Sequence, residues 1–464
     1  MDRALYAVRF TADQLGVTQR IPASWRSVLD RSVQQRIASG AAWSLVGAGF
    51  QSGFTMVSNI ACARLLNSVD YGQLGIVLST INLCTALFTS GLSMTATRYV
   101  AEYRDAAPRR AGTIIGLSTA TSLAVGALIA MIVCLLAPWL SRDVLHGRGV
   151  ERALTLGAVS MLFAAINGSQ MGALSGFEAF RSLAIGNFAR GVSVLVFVTM
   201  GAAFWGLNGA LVGYIIVSAL TALFYQIMVR RRAFAKGVPI SYCFNRQDFR
   251  VLWRFTIPVL LTTSVFTPAA WWSNVLLVRR SGYAESGIFS AVYTWQTLIL
   301  FFPLAVSSIG LPMLSNLRTE GNMAKYKKLL GIMFLLIPAP AIIAAVPVAL
   351  CSPWIMNLYG ASFHHGAPAL TLISIAAVLS ACNIPVGHAL WSLNATIPAI
   401  LLALLNGGTL IIAAHALATK GAAGLASAYV IMTVFQSIAS ALFMTWLLRK
   451  KLPNASASPE FALA

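Results

Sequence analysis

Charge is scarce in this chain. Of its 464 residues 10% are Asp, Glu, Lys or Arg, against roughly 25% in a soluble globular domain. Such a sequence cannot clothe a globule in polar side chains, so a soluble fold is excluded. Acid is scarcer still. The 13 carboxylates stand at Asp2, Asp13, Asp30, Asp70, Glu102, Asp105, Asp143, Glu151, Glu178, Asp248, Glu285, Glu320 and Glu460, and none falls in the middle of a long apolar run. The six cysteines (62, 84, 134, 243, 351 and 382) form no CxxC and read as small buried hydrophobes. A GxxxxGK[ST] loop is missing, so this chain is not expected to hydrolyse ATP. No Ser/His/Asp set or carboxylate pair supports catalysis. His364 and His365 adjoin, and are expected to point apart and make a poor metal pair. The expectation is therefore a protein that is not an enzyme, with no catalytic residues, no metal and no cofactor.

What is present is apolar length. The chain is 58% hydrophobic with a mean hydropathy of +0.76. Twelve stretches reach the roughly 20 residues that cross a bilayer as helix: about 40–63, 72–94, 112–138, 153–176, 183–204, 208–229, 255–278, 286–312, 328–350, 367–391, 396–417 and 422–447. Period-two alternation of the barrel type is absent, so these are helices. With the N-terminus in the cytoplasm, 25 of the 33 Lys and Arg fall on inside segments and seven outside, Arg190 lying within a span. This is a positive-inside pattern. The net charge of +20 is thereby read as orientation and attraction to anionic lipid heads, not nucleic-acid binding. The expected location is a bacterial inner (plasma) membrane, with both termini cytoplasmic.

The chain repeats itself. "SNIACAR" at 58–64 is echoed by "SNVLLVRR" at 273–280, with Ser, Asn and Arg matching 215 positions apart. Gly206 to Tyr214 ("GLNGALVGY") is echoed by Gly421 to Tyr429 ("GAAGLASAY") at the same offset, and Tyr71 to Ile76 by Tyr283 to Ile288 at 212. Arg104 and Arg318 close the matching second helices. The expected organisation is a basic N-terminal segment (1–39), an N-lobe of six helices (40–229), a cytoplasmic linker (230–252), a C-lobe of six helices (253–449) and a cytoplasmic tail (450–464). Six spans per lobe start both lobes on the same side, giving a parallel repeat of the kind found in secondary transporters. Two pseudo-symmetric lobes leave a central cleft able to open to either side.

"ARLLNSVDYGQLGIV" (63–77), "GLSMTATRYVAEYR" (91–104) and "IMNLYGASF" (355–363) resemble the polysaccharide and O-antigen flippases of the multidrug/oligosaccharidyl-lipid/polysaccharide exporter superfamily. The resemblance covers most of 40–449. It implies translocation of a polyprenyl-diphosphate-linked oligosaccharide from the cytoplasmic to the outer leaflet by alternating access, for cell-surface polysaccharide such as O-antigen or exopolysaccharide. It also implies membrane lipids, a polysaccharide polymerase and glycosyltransferases as partners. The alternative on the same scaffold is a cation-coupled antiporter for drugs or small solutes. Such exporters use a carboxylate inside the membrane, and here none is available. A membrane glycosyltransferase or polymerase would carry a large outer loop, whereas the longest here (about 139–152) is short.

Polar residues inside spans are functional candidates by default. Arg190 is a candidate contact for a diphosphate, its planar fork suiting two phosphate oxygens; a snorkelling role is the competing reading. Asn187 shares its face. Helix 1 carries Gln51, Thr55, Ser58, Asn59 and Cys62 on one helical stripe, and helix 7 carries Thr263, Thr267, Trp271 and Asn274 on another. Asn82 on helix 2, Gln170 on helix 4 and Gln296 on helix 8 join these as lining candidates for a hydrated cleft, the alternative being interhelical packing. Arg64, Arg98 and Arg279 are secondary candidates for phosphates or headgroups. Arg64 lies about 220° from Gln51 around its helix and Arg279 about 160° from Thr263, off the stripes.

Overall fold

The computed structural model describes residues 31–147, 149–242, 266–307, 310–393 and 395–450. Most of the N-terminal segment, the linker from 243, Thr263 and the tail from 451 lie outside the described residues. Within them the chain is helical, with no strand. Seven continuous helices have the length and hydropathy to cross a membrane, and a further pair, Ala42–Ala86 and Gly91–Tyr103, meets at 43°. Three of the seven run to 56, 54 and 49 residues, more than twice the roughly 20 that one crossing takes.

Short breaks, each centred on one residue with positive φ, divide the long helices. Asn67 (φ 61°, ψ 175°) separates α1 (31–66) from α2 (68–103). Gly282 (φ 85°, ψ 176°) separates α7 (266–281) from α8 (283–307, continued by Gly310–Thr319). Gly206 (φ 57°, ψ −139°) separates α5 (180–204) from α6 (207–235), and Gly421 (φ 70°, ψ −152°) separates α11 (Thr396–Leu417) from α12 (Gly421–Lys450). With α3 (108–144), α4 (Val150–Gly176), α9 (323–350) and α10 (Ala367–Ser392), the long helices number twelve among the described residues. The breaks obey the offset of the sequence echoes. Asn67 and Gly282 stand 215 apart, as do Gly206 and Gly421, and each pair has nearly the same backbone angles. These positive φ values admit glycine freely and asparagine with local help. Asn67 has that help, since its Oδ1 accepts from the amides of Val69 (2.9 Å) and Asp70 (3.2 Å) at the start of α2.

The outer surface of the bundle is apolar: Leu135, Leu335, Ile343 and Ile412 are each 73% exposed. Exposed tryptophans ring both ends, with Trp139, Trp205 and Trp354 at the Asn67 end and Trp43 and Trp391 at the other. That is the dressing of a membrane protein, apolar along its belt and amphipathic at the interfaces.

The two ends pack differently. At the Asn67 end one core spans both lobes, joining Leu66, Tyr71 and Leu74 to Val275, Ile288, Phe363 and Tyr429. At the opposite end each lobe has a core of its own, around Val100, Leu174 and Tyr225 in the N-lobe and around Leu317, Tyr326 and Leu390 in the C-lobe. The shared core depends on close approach of α2 and α8. A Cβ at Gly72 would strike the Tyr283 carbonyl, one at Gly287 the Ser68 carbonyl, and one at Gly75 the Ser290 side chain. Small residues allow this contact, as they do between membrane helices generally. A short helix, Ser352–Tyr359, and a 3₁₀ turn, Ala361–Gly366, follow α9 and wedge Tyr359 and Phe363, both fully buried, against Tyr71 of the N-lobe. The turn brings the His364 and His365 rings to 3.8 Å between centroids, correcting the expectation that they point apart. Successive side chains on a 3₁₀ turn leave it about 120° apart rather than opposite, close enough for two ring side chains to lean together.

Matched arginines close the far end of each lobe. Arg104 donates to the Gly176 carbonyl at 2.8 Å, and Arg318 to the Ser392 carbonyl at 2.6 Å. Each satisfies the carbonyl end of its lobe's fourth helix, where a cation is also favoured by the helix dipole.

Candidate cavities between and within the lobes

A cavity of about 340 Å³ lies at the junction of the lobes, lined from α1, α2, α6, α7, α8 and α12. Thr267, Trp271 and Asn274 all border it, so the described part of the helix 7 stripe faces the junction as one surface. From helix 1 only Asn59 reaches it, and from helix 2 Asn82 joins Ser79. Asn59 donates to Thr294 at 3.5 Å and Trp271 donates through Nε1 to Thr80 at 2.9 Å, both between lobes. No lining residue carries a charge.

The helix 1 stripe divides. Ser58 is buried against α5, with its hydroxyl 3.3 Å from the Val194 carbonyl and 3.2 Å from Thr199 Oγ1, and Cys62 lies beneath it. Gln51 packs its backbone under Gly191 of α5. Gln51 and Thr55 are half-buried and border neither cavity. A polar stripe on a helix of a six-helix lobe meets neighbours on both sides, and here α5 takes one edge and the junction the other.

A second cavity, of about 380 Å³, lies inside the C-lobe among α7, α8, α10, α11 and α12. Gln296 and Thr297 border it, together with Ser380, Asn406 and Gln436, which the sequence reading did not single out. Tyr293 and Tyr429 border both cavities. With Phe289 they form an aromatic cluster with ring centroids 5.6 to 5.9 Å apart.

Arg190 lies in the N-lobe. α5 begins at Phe180, three residues before the expected start, so Arg190 is ten residues along and roughly 15 Å into the helix. It is half-buried, and its charge reaches the hydroxyls of Tyr214 and Tyr225. Among the described residues it makes no hydrogen bond or ion pair. Tyr214 borders the junction cavity, whereas Arg190 itself borders neither. Asn187 accepts from the Tyr225 hydroxyl at 2.9 Å. Gln170 is 2% exposed and donates to Gln226 at 2.7 Å, away from both cavities. Its helix, α4, stands behind α2 and α6, which hold it off the junction.

The secondary arginines sit at the ends. Arg64 donates through Nε to the Leu358 carbonyl at 2.6 Å, tying α1 to the short helix of the other lobe. Arg279 is exposed, and its neighbour Arg280 donates to the His415 carbonyl at 2.7 Å. Arg98 is exposed, its guanidinium over the Tyr99 ring at 5.6 Å. Among the described residues no group of three or more His, Cys, Asp or Glu is placed to hold a metal.

Two tyrosines are among the lining residues missed. Tyr214 and Tyr429 are repeat equivalents, and both border the junction cavity, as do the equivalents Asn59 and Asn274. The repeat itself was the signal: polar positions preserved at the 215 offset converge on the axis relating the lobes.

Twelve helices in two lobes around a junction cavity form an arrangement shared with solved transporters of the MOP superfamily. A solved inward-facing multidrug resistance MATE family transporter of that superfamily matches with a TM-score of 0.74, over 90% of this chain and 99% of that one, at 16% identity. The Lipid II flippase MurJ, in an inward closed conformation, matches with a TM-score of 0.71 over 86% and 87%, at 14% identity. The sequence carries the more particular assignment. A family model described as "Polysaccharide biosynthesis protein" matches residues 37–318, and the chain belongs to that family. The Lipid III flippase of Escherichia coli (strain K12) is 25% identical over 288 residues, 60% of this chain and 66% of that protein, a little under two thirds of its length. The EPS I polysaccharide export inner membrane protein EpsE of Ralstonia nicotianae is 29% identical over 73 residues, 16% of this chain and 17% of that one.

Proposed function

We propose that this protein is a flippase that carries a polyprenyl-diphosphate-linked oligosaccharide from the cytoplasmic to the outer leaflet of a bacterial inner membrane by alternating access. One observation carries the reading. Repeat-equivalent residues, Asn59 with Asn274 and Tyr214 with Tyr429, line one charge-free cavity where the lobes meet. Amides, hydroxyls and aromatic rings together suit a saccharide, whose edges hydrogen-bond and whose C–H faces pack on rings. Family membership and the likeness to the Lipid III flippase support the same cargo.

The excess of Lys and Arg on one set of loops puts the Asn67 end outside and the Arg104 end in the cytoplasm. The shared core then closes the outer side, and the separate cores leave the lobes free to part on the inner side. Turnover requires the α2–α8 contact to open and the Arg104 ends to approach. Arg190 is the contact for the diphosphate in this scheme. It is a cation roughly mid-membrane without a carboxylate partner, and an anionic group is the natural complement to such a site.

The test is where the lipid-linked sugar accumulates when the gene is deleted. Build-up on the inner leaflet with unchanged drug tolerance is expected. Normal export of the glycan with altered drug tolerance would retire the proposal in favour of a drug antiporter.

A further inference from the structure

The cavity inside the C-lobe has no role in the scheme above, yet at about 380 Å³ it is comparable in size to the junction cavity. Its lining has two chemical halves. Phe266, Leu300, Leu304 and Met432 supply an apolar wall, while Gln296, Thr297, Ser380, Asn406 and Gln436 supply amides and hydroxyls. No charged residue borders it. Gln296 is 6% exposed, and neither its amide nor that of Asn406 makes a hydrogen bond among the described residues; Gln296 Oε1 and Asn406 Oδ1 are enclosed without partners. A buried amide with no partner is costly to keep, and two of them beside one cavity point to an absent hydrogen-bonding occupant. Tyr293 and Tyr429 form a wall common to this cavity and the junction cavity, so a shift of these two rings is all that joining them requires.

We infer that this C-lobe chamber is a second saccharide subsite, reserved for an uncharged sugar unit of the same cargo and reached from the junction cavity past Tyr293 and Tyr429. The inference rests on the flippase reading and adds to it a place for the part of the glycan farther along its chain. Size and chemistry argue for a sugar over a bare cation. A ligand pocket begins at roughly 300 Å³, which both chambers exceed, and a monovalent cation needs a tight shell of oxygens instead of an apolar wall. A pyranose ring meets both halves of the lining, with its hydroxyl edge on the amides and its C–H face on the aromatic and aliphatic side. An acidic sugar would bring a carboxylate into a chamber with no cation to pair with it, so uronic acids are excluded.

The experiment uses the full chain in nanodiscs and four soluble probes: glucose, maltose, maltotriose and digalacturonate. Binding is followed by saturation-transfer NMR. Affinity is expected to rise at least tenfold from glucose to maltotriose, with digalacturonate unbound. Ser380→Trp, which fills the chamber, should abolish the rise while glucose binds as before. The double variant Gln296→Leu with Asn406→Leu keeps the volume of the lining and guards against misfolding of the tryptophan variant; it too should lose the rise. Absence of a rise in the native chain, or its survival in both variants, overturns the inference. So does a sodium-dependent increase in thermal stability, measured against choline, that disappears in the double variant while the rise persists, for the chamber is then a cation site. Failure of the flippase reading shows elsewhere, as glycan export that continues without the chain.

Discussion

In the N-lobe, Gln170 donates to Gln226 at 2.7 Å, Asn167 donates to the Ser218 carbonyl at 3.2 Å, and Asn187 accepts from Tyr225 at 2.9 Å. In the C-lobe, Asn383 follows that manner, donating to Ser437 at 3.0 Å, but Gln296 and Asn406 border a cavity with no partner among the described residues. The charge is distributed the opposite way. Arg190 stands inside the N-lobe, and 215 residues on, the C-lobe has Leu405. One bundle used twice has thus diverged into a lobe that holds a cation and in which Asn167, Gln170 and Asn187 each make one bond through a side-chain nitrogen or oxygen, and a lobe in which two amides beside a cavity make none. For a cargo that is anionic at one end and neutral at the other, this division assigns each end to a lobe.

The contrast between the two ends of the molecule gives the largest expected effect. Gly72 of α2 meets backbone, the Tyr283 carbonyl of α8, and not the movable tip of a side chain. Gly72→Leu should prevent closure of the Asn67 end and lower glycan export at least tenfold. Gly331→Leu on α9, where nothing lies within 4 Å of an added Cβ, should leave export within twofold of normal. Equal export by the two variants, measured in the deletion strain, would show that the shared core is not a gate.

Next in size is the charge difference between lobes. Arg190→Leu makes the N-lobe like the C-lobe at this position and should lower export at least tenfold with insertion unchanged. Arg190→Lys should retain part of it, since the charge remains but the bidentate fork is lost. Full export by Arg190→Leu would remove the diphosphate contact from the scheme.

The sequence made much of this comparison legible in advance. Twelve spans followed from apolar run length, and the 215 offset recurs in the structure as paired backbone breaks, Asn67 with Gly282 and Gly206 with Gly421, which the echoed phrases did not by themselves predict. The helix 7 stripe was readable because one face of α7 meets the junction. The helix 1 stripe misled because Ser58 and Asn59 are adjacent on the helix yet sit either side of the boundary between α5 and the junction. Gln170 and Gln296 look alike in sequence, each an amide in an apolar run. What separates them is whether Gln226 or empty space lies opposite, a fact of tertiary packing. The Arg64 contact to Leu358 crosses 294 residues, and no local pattern encodes it.

A smaller effect tests the paired against the unpaired amides. Gln170→Leu removes a buried bond and strands the Gln226 amide, and should cost about 1–3 kcal/mol. Gln296→Leu removes no bond and should be neutral or stabilising. Thermal unfolding in detergent checks both. A larger loss for Gln296→Leu than for Gln170→Leu would mean that its amide is engaged after all, and the distinction drawn between the lobes would fall.

The smallest effect concerns the Arg104 and Arg318 ends. Both arginines cap a helix carbonyl, but only the N-lobe site adds carboxylates among the described residues: Glu178 at 2.6 Å and Asp105 at 3.2 Å from Arg104. The Lys236 ammonium, 3.3 Å away, and then Arg104 hold the Asp105 carboxyl below its usual range, against a weaker opposing pull from desolvation. A carboxyl whose folded value is depressed contributes stability above its ordinary value near 3.8, and that contribution fades as pH falls through the lowered one. Acid should therefore loosen the turn at 104–107 in the N-lobe, while the Arg318 cap, which relies on the Ser392 carbonyl, should not respond. The exposed position of Asp105 keeps the effect small, and added salt should shrink it further by screening. Hydrogen exchange near pH 3.5, compared with pH 6, is expected to rise at the N-lobe turn only, and Asp105→Asn should erase most of that pH dependence. Equal acid sensitivity at both caps would trace the loosening to a cause common to the lobes, and not to this cluster.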